Sequence, residues 1–128
     1  MTMKINFTVN TDPIAQARPR VGKFGTYEPK RCTAYKCMIA NAARKVMRDK
    51  TPFTGAVKIE IKVFRKFKPT SRTFGDWDNQ GKAPCDAMNG IVYLDDSQII
   101  DAQVFKLQDK SNPRIEITVT DELEKNYE

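Results

Sequence analysis

The sequence predicts an α+β (mixed α/β) fold, with a single mixed sheet and two main helices packed on it. Three observations lead there. Stretches of strict apolar alternation occur near the start, in the middle and near the end of the chain. One long apolar stripe at helical spacing lies between the first two of them. A shorter helical stretch precedes the last two strands. The order is strand, helix, strand, helix, then two or three strands, and one layer of helices on one sheet buries all of these faces economically.

Met3, Ile5, Phe7 and Val9 alternate with polar residues and form the first expected strand. Residues 11–31 read as a loop, punctuated by Pro13, Pro19, Gly22, Gly25 and Pro29. Thr33 is placed to cap a helix reaching about Arg48, in which Tyr35, Ile39, Ala42 and Val46 fall on one stripe. After a turn over 49–55, Val57, Ile59, Ile61 and Val63 alternate with Lys58, Glu60 and Lys62, the cleanest strand in the chain. A basic loop follows over 65–75. Ala83 to Met88 suggests a short helix stopped at Asn89-Gly90. Ile91–Leu94 reads as a brief extended piece, and Ile99–Leu107 and Arg114–Thr120 as two further strands. The turn between those two, Asp109–Pro113, is short enough for a hairpin. No repeat, linker or low-complexity tract divides residues 1–128, which are expected to form one domain with a polar tail from about 121.

The chain has 128 residues, is 40% hydrophobic and contains seven Phe, which suits a globular domain with its own core. No apolar run approaches the roughly 20 residues needed to span a membrane. The alternating N-terminus lacks the continuous apolar core of a signal peptide. A cytoplasmic protein is expected. Cys32, Cys37 and Cys85 form no C-x-x-C pair and read as free thiols. Histidine is absent, which excludes Ser-His-Asp and Cys-His catalysis and any nuclease with a histidine base. Hydrolysis would have to rest on carboxylates, lysine or a metal.

The net charge of +6 is unevenly spread. Residues 1–50 carry eleven Lys/Arg against three Asp/Glu, and residues 51–75 carry six against one. Residues 76–101 reverse the sign, with one lysine against six aspartates. A basic surface attracts a polyanion such as nucleic acid, and an acidic island within it would repel that polyanion unless cations neutralise it. This is the layout a metal-dependent nuclease needs, although an ordinary domain with segregated charges produces the same tally. The first basic loop interleaves Arg18, Arg20, Lys23, Lys30 and Arg31 with Phe24 and Tyr27, a mixture suited to phosphate contacts and stacking.

Asp76 and Asp78 are spaced i, i+2. On extended chain that spacing places both carboxylates on one face, with Cα atoms about 6–7 Å apart. Such a pair can converge on Mg²⁺, which prefers a few carboxylates and keeps its other positions for water and phosphate. The alternative is that Asp78 simply caps a helix. Lys82, four residues after Asp78, could steady charge developing on a phosphate oxygen or form a surface ion pair. The adjacent pair Asp95-Asp96 would be relieved by a nearby cation, or could close a turn by Asx hydrogen bonds.

The runs Asp76-Trp77-Asp78-Asn79-Gln80-Gly81-Lys82, Asp86-Ala87-Met88-Asn89-Gly90 and Tyr93-Leu94-Asp95-Asp96-Ser97-Gln98-Ile99 resemble, in order and spacing, the RusA family of Holliday-junction resolvases common in phages and prophages. Upstream, Arg18–Arg20, Thr26–Pro29 and Tyr35-Lys36 extend the likeness. The resemblance implies a RusA-like fold with Asp76, Asp78 and Asp96 as metal-binding carboxylates, Lys82 as the catalytic lysine, and Asn79 and Asp95 in support. It further implies a homodimer that uses Mg²⁺ or Mn²⁺ and resolves four-way junctions in branched DNA by paired symmetric nicks during recombination and repair. Arg18, Arg20, Lys23, Lys30, Arg31, Lys66, Lys68 and Arg72 would grip the backbone of the junction arms.

Gln80-Gly81 and Pro84 depart from the good helix formers usual after this D-x-D. An interior proline costs a helix roughly 3 kcal/mol and a glycine about 1. The helix is therefore expected to start late, near Lys82 or Ala83, leaving Asp78 and Asn79 on extended chain. Two other functions compete. A non-catalytic DNA-binding phage protein would use the same basic surface and bind without nicking. A phosphohydrolase with a D-x-D nucleophile would place the motif directly after a buried apolar strand, whereas Arg72-Thr73-Phe74-Gly75 stands there.

Overall fold

The alternation at Val57 becomes the central strand of a four-stranded sheet. The computed structural model of the chain describes residues 3–14, 20–22, 25–27 and 30–121, with backbone alone for 20–22 and 25–27. Its elements are β1 (Lys4–Val9), β2 (Arg20–Gly22), β3 (Gly25–Tyr27), α1 (Lys30–Val46), β4 (Val57–Arg65), α2 (Trp77–Ala87), a single 3-10 turn at Asp96–Gln98, β5 (Ile99–Gln108) and β6 (Arg114–Asp121). The main sheet runs β1-β6-β4-β5, and β2 pairs with β3 separately. The α+β reading holds.

Along β4 and β6 every second side chain is buried: Val57, Ile59, Ile61 and Val63 on one, Ile115, Ile117 and Val119 on the other. The register sets Ile61 opposite Ile117 and Val63 opposite Ile115, so the buried residues share one face. That face meets Tyr35, Ile39 and Ala43 of α1, Met47 just past its end, and Ala83 of α2 with Met88 at its C-cap, in one apolar cluster. The expected stripe is thus shifted by one residue in its second half, where Ala42 and Val46 are only partly buried at the edge of the core. The opposite face is polar, with Lys4, Glu60, Lys62, Glu116 and Thr118 side by side.

Several expectations are corrected. Helix α1 begins at Lys30, directly after Pro29, rather than at a Thr33 cap. The stretch 11–31 is not wholly loop, since Val21 pairs with Thr26 in a two-stranded ribbon. Residues 91–94 form a turn, in which Tyr93 alone makes isolated bridges to Phe53 and Asn89. The last two strands are not a hairpin. β5 pairs in parallel with β4, and β6 lies antiparallel on β4's other side. A parallel pair needs a crossover, and α2 supplies it between β4 and β5. The 109–113 turn instead passes the end of β4, where Asp109 N donates to Arg65 O at 2.8 Å. Asp109 Oδ1 accepts from Ser111 N and Asn112 N, and Arg114 Nη1 reaches Asp109 Oδ2 at 2.8 Å, which stiffens the corner. Asp121 ends β6 and is buried, so the polar tail starts after it, outside the described residues.

Candidate active site

The largest correction concerns α2. It starts at Trp77 and runs unbroken to Ala87 through both Gly81 and Pro84. Tertiary packing outweighs the propensity penalty. Gln80, Gly81, Ala83 and Pro84 are the buried face of the helix. At Gly81 a Cβ would stand 3.1 Å from Val104 Cγ2 and 3.9 Å from Ile61 Cδ1. The glycine therefore lets the helix backbone lie close on β4 and β5. Pro84 lacks an N–H, so the Gln80 carbonyl loses its helical partner.

Asp76 occupies the N-cap position on extended backbone (φ −76°, ψ 151°), and its carboxylate makes no capping hydrogen bond. Asp78 lies within the first helical turn, and its Oδ1 accepts from Asn79 N at 2.9 Å. The strand-like i, i+2 alternation therefore does not apply. One carboxylate sits at the cap and the other inside the positive end of the helix. Asp76, Asp78 and Asn79 are all exposed. Lys82 is one turn further on the same helix, also exposed and four residues from Asp78. None of Asp76, Asp78, Lys82 or Asp96 forms an ion pair among the described residues. The carboxylates that serve structure are engaged instead, as Asp109 and Glu116 are with Arg114.

The chain entering α2 is held from below. The Phe74 carbonyl accepts from Arg65 Nη1 and from the buried Gln80 Nε2, each at 2.9 Å. Arg65 also stacks on the rings of Phe67 and Phe74, at 5.0 and 5.6 Å from their centroids. Its Nε faces Asp12 Oδ1 at 3.8 Å, an ion pair too long to be a hydrogen bond. Gly75 then turns the chain at φ 96°, a left-handed conformation that side chains resist, and Asp76 follows.

Asp95 and Asp96 belong to a second segment. Asp95 caps the 3-10 turn, its Oδ2 accepting from Ser97 N at 3.0 Å. A hydrogen bond from the Ser97 side chain, and then this one from its N–H, hold the carboxyl below the ordinary value of 3.8. The turn-closing alternative thus describes Asp95. Gln98 completes the capping box. Its Oε1 accepts from Leu94 N and Asp95 N at 2.8 and 3.0 Å, and its Nε2 donates to Phe53 O and Gly55 O, both at 2.8 Å. Asp96, half-buried, is the first residue of the turn.

The two segments meet through Tyr93, whose buried hydroxyl donates to Cys85 O at 2.7 Å. Burial pushes the Cys85 thiol up to about 11, and the charges of Asp96 and Asp86 add to the rise. Burial, Cys85 and the same two aspartates also raise Tyr93. Asp96 therefore stands in the electrostatic neighbourhood of the second half of α2, where Asp86 pairs with Lys36 at 3.6 Å.

Among the described residues no group of three or more His, Cys, Asp or Glu side chains is close enough together to enclose an ion. The donor set still fits a hard cation, because it offers exposed carboxylate oxygens that no basic side chain among the described residues occupies. Mg²⁺ needs only one or two of these and completes its shell with water and phosphate.

Of the expected DNA contacts, Arg18 and Lys23 lie outside the described residues, as does the side chain of Arg20. Lys30 and Arg31 are exposed in the first turn of α1. Arg31 borders a groove of about 610 Å³ with Asp12, Arg65 and Thr73. Lys66, Lys68 and Arg72 are exposed on the loop leading into α2. Sequence reasoning missed the positioning groups. Gln98 carried a signal, an Asp followed three residues later by Gln, whereas nothing marked Gln80 or Arg65.

A family model described as endodeoxyribonuclease RusA matches residues 10–120, a span that holds every candidate site residue. "Uncharacterized protein YqaN" of Bacillus subtilis (strain 168) is 32% identical over 138 aligned positions, covering 90% of this chain and 94% of that protein. No helix among the described residues is long and apolar enough to cross a membrane.

Proposed function

The chain belongs to the RusA family of endodeoxyribonucleases, and on that footing we propose that it is a divalent-cation-dependent nuclease that resolves four-way junctions by paired symmetric nicks. The observation that carries the proposal is the start of α2, where Asp76 and Asp78 stand exposed and form no ion pair among the described residues, with Lys82 one turn on. Asp76 and Asp78 would hold Mg²⁺, or Mn²⁺ in its place, and Asp96, on the second segment, is the third carboxylate that the family resemblance assigns to the ion. The chemistry such an ion supplies when bound is Lewis-acid activation of water and neutralisation of phosphate charge.

The chain's own groups do the rest. The positive end of α2 favours a phosphate beside the two carboxylates. Lys82 places an ammonium where charge builds on the phosphorane or the leaving oxygen. Asp95 and Gln98 hold the turn that presents Asp96. Lys66, Lys68, Arg72, Lys30 and Arg31 grip the arms, together with Arg18, Arg20 and Lys23. A two-fold homodimer would place two such sites on one junction, one for each nick. We place this activity in recombination and repair in the cytoplasm of a bacterial or phage-infected cell.

A strand-resolved nicking assay on a synthetic four-way junction, with linear duplex as control, tests the reading. Paired nicks at symmetric positions, dependent on Mg²⁺ or Mn²⁺, are expected. Tight binding without nicks in either ion would refute it and leave a DNA-binding protein.

A further inference from the structure

Two side chains at the candidate site are out of place by the logic of burial. Trp77 is 65% exposed and Leu94 59%, while the other exposed large apolar residues among those described reach 43% at most. Both adjoin the carboxylates. Trp77 lies between Asp76 and Asp78, and Leu94 directly precedes Asp95-Asp96. An exposed indole is costly to keep in water, and placing it between two carboxylates makes a poor apolar contact for another protein surface. A ligand that brings its own phosphates and a flat π-face satisfies both demands.

We propose that Trp77 is a stacking platform for an unstacked nucleobase at the branch point of the DNA, positioned at the first residue of α2 so that stacking brings the adjoining phosphodiester to Asp76 and Asp78. The inference rests on the nuclease reading and names what that site recognises. The helix N-terminus projects the indole outward, since the buried face of α2 begins only at Gln80. The preceding loop supplies Lys66, Lys68 and Arg72, all exposed, to hold the backbone on either side. Base–aromatic stacking tolerates any base, because every base has a π-face, but it requires a base free of its own stack. A continuous duplex offers none at its interior, and a branch point or single strand does. Trp77 thus selects for branched over linear DNA where carboxylates and charge cannot.

Trp77 is the only tryptophan in the chain, so its fluorescence reports this contact directly. The experiment uses the intact protein in EDTA with a four-way junction, a single strand and a linear duplex of matched length. Emission should be quenched and shielded from acrylamide by junction and single strand, and little changed by duplex. Trp77→Ala should weaken junction binding about ten- to a hundredfold while leaving duplex binding unchanged, and Trp77→Phe should recover most of the loss. Unmoved emission, an unaltered junction affinity in Trp77→Ala, or an equal loss on duplex would each overturn the proposal. Wild-type nicking with an unaffected Trp77→Ala would sink the platform and spare the nuclease. Quenching without any nicking would do the reverse.

Discussion

Replacing Gln98 with alanine tests how the acidic turn is held. The side chain makes four hydrogen bonds, two that close the turn on Leu94 N and Asp95 N and two that anchor it to the carbonyls of Phe53 and Gly55. A hydrogen bond contributes about 0.5–1.5 kcal/mol net. The two bonds to exposed amides are largely replaced by water when lost. The two to the partly buried carbonyls are not, because those acceptors are left without a donor. The expected loss for Gln98→Ala is therefore about 2–3 kcal/mol, a large share of the roughly 5–15 kcal/mol that holds a domain of this size. Gln98→Glu should be no better, since it keeps the acceptor and turns a carboxylate toward two carbonyls. Urea unfolding followed by circular dichroism measures both. The same variants should lose nicking more than junction binding, because Asp96 is presented by this turn while the basic residues are elsewhere. A loss below about 0.5 kcal/mol, with nicking intact, would show that the turn holds itself and that Gln98 positions nothing.

Other consequences are as direct. Gly75→Ala should destabilise by about 1–2 kcal/mol, because φ 96° is hostile to a Cβ, and nicking should fall further than stability since Asp76 is the next residue. A thiol reagent at pH 8 should label exposed Cys37 quickly in the native protein and leave buried Cys32 and half-buried Cys85 until unfolding. The folded-state value of Cys85, about 11, lies above its ordinary 9.0, so its contribution to stability is full below pH 9.0 and is lost as pH rises through about 11. The Asp109 carboxyl is held below its ordinary 3.8 by Arg114, so its contribution is full above that value and is lost as pH falls through the lower folded one. Asp109→Asn should accordingly lower stability at neutral pH and flatten the acid limb of the unfolding profile.

The elements that alternation or helical spacing defines were readable from the sequence. β1, β4, β6 and the α1 stripe all follow from side chains that must reach one buried face. Pairing was not readable, because the alternation of β5 is the same whether its partner is β4 or β6. The short 109–113 turn favoured a local hairpin over the crossover that α2 makes possible. The start of α2 was misplaced for a related reason. Gly81 and Pro84 count against a helix in isolation, yet Gly81 is what lets this helix approach Val104. The carboxylates and Lys82 stood out by spacing, but their supports did not. Gln80 and Arg65 are polar residues anywhere else, and only the fold brings both to the carbonyl of Phe74.

The central claim is that the exposed carboxylates of α2 carry out the chemistry and do not merely tolerate DNA. Asp78→Asn tests it most directly, since the amide keeps the shape and can still accept the Asn79 N–H while removing the charge. Junction binding in EDTA and nicking in Mg²⁺ should be measured on the same preparation. Binding should equal or exceed that of the wild type, and nicking should fall by at least about a hundredfold, or some 2.7 kcal/mol of barrier. Wild-type nicking by Asp78→Asn would contradict the claim.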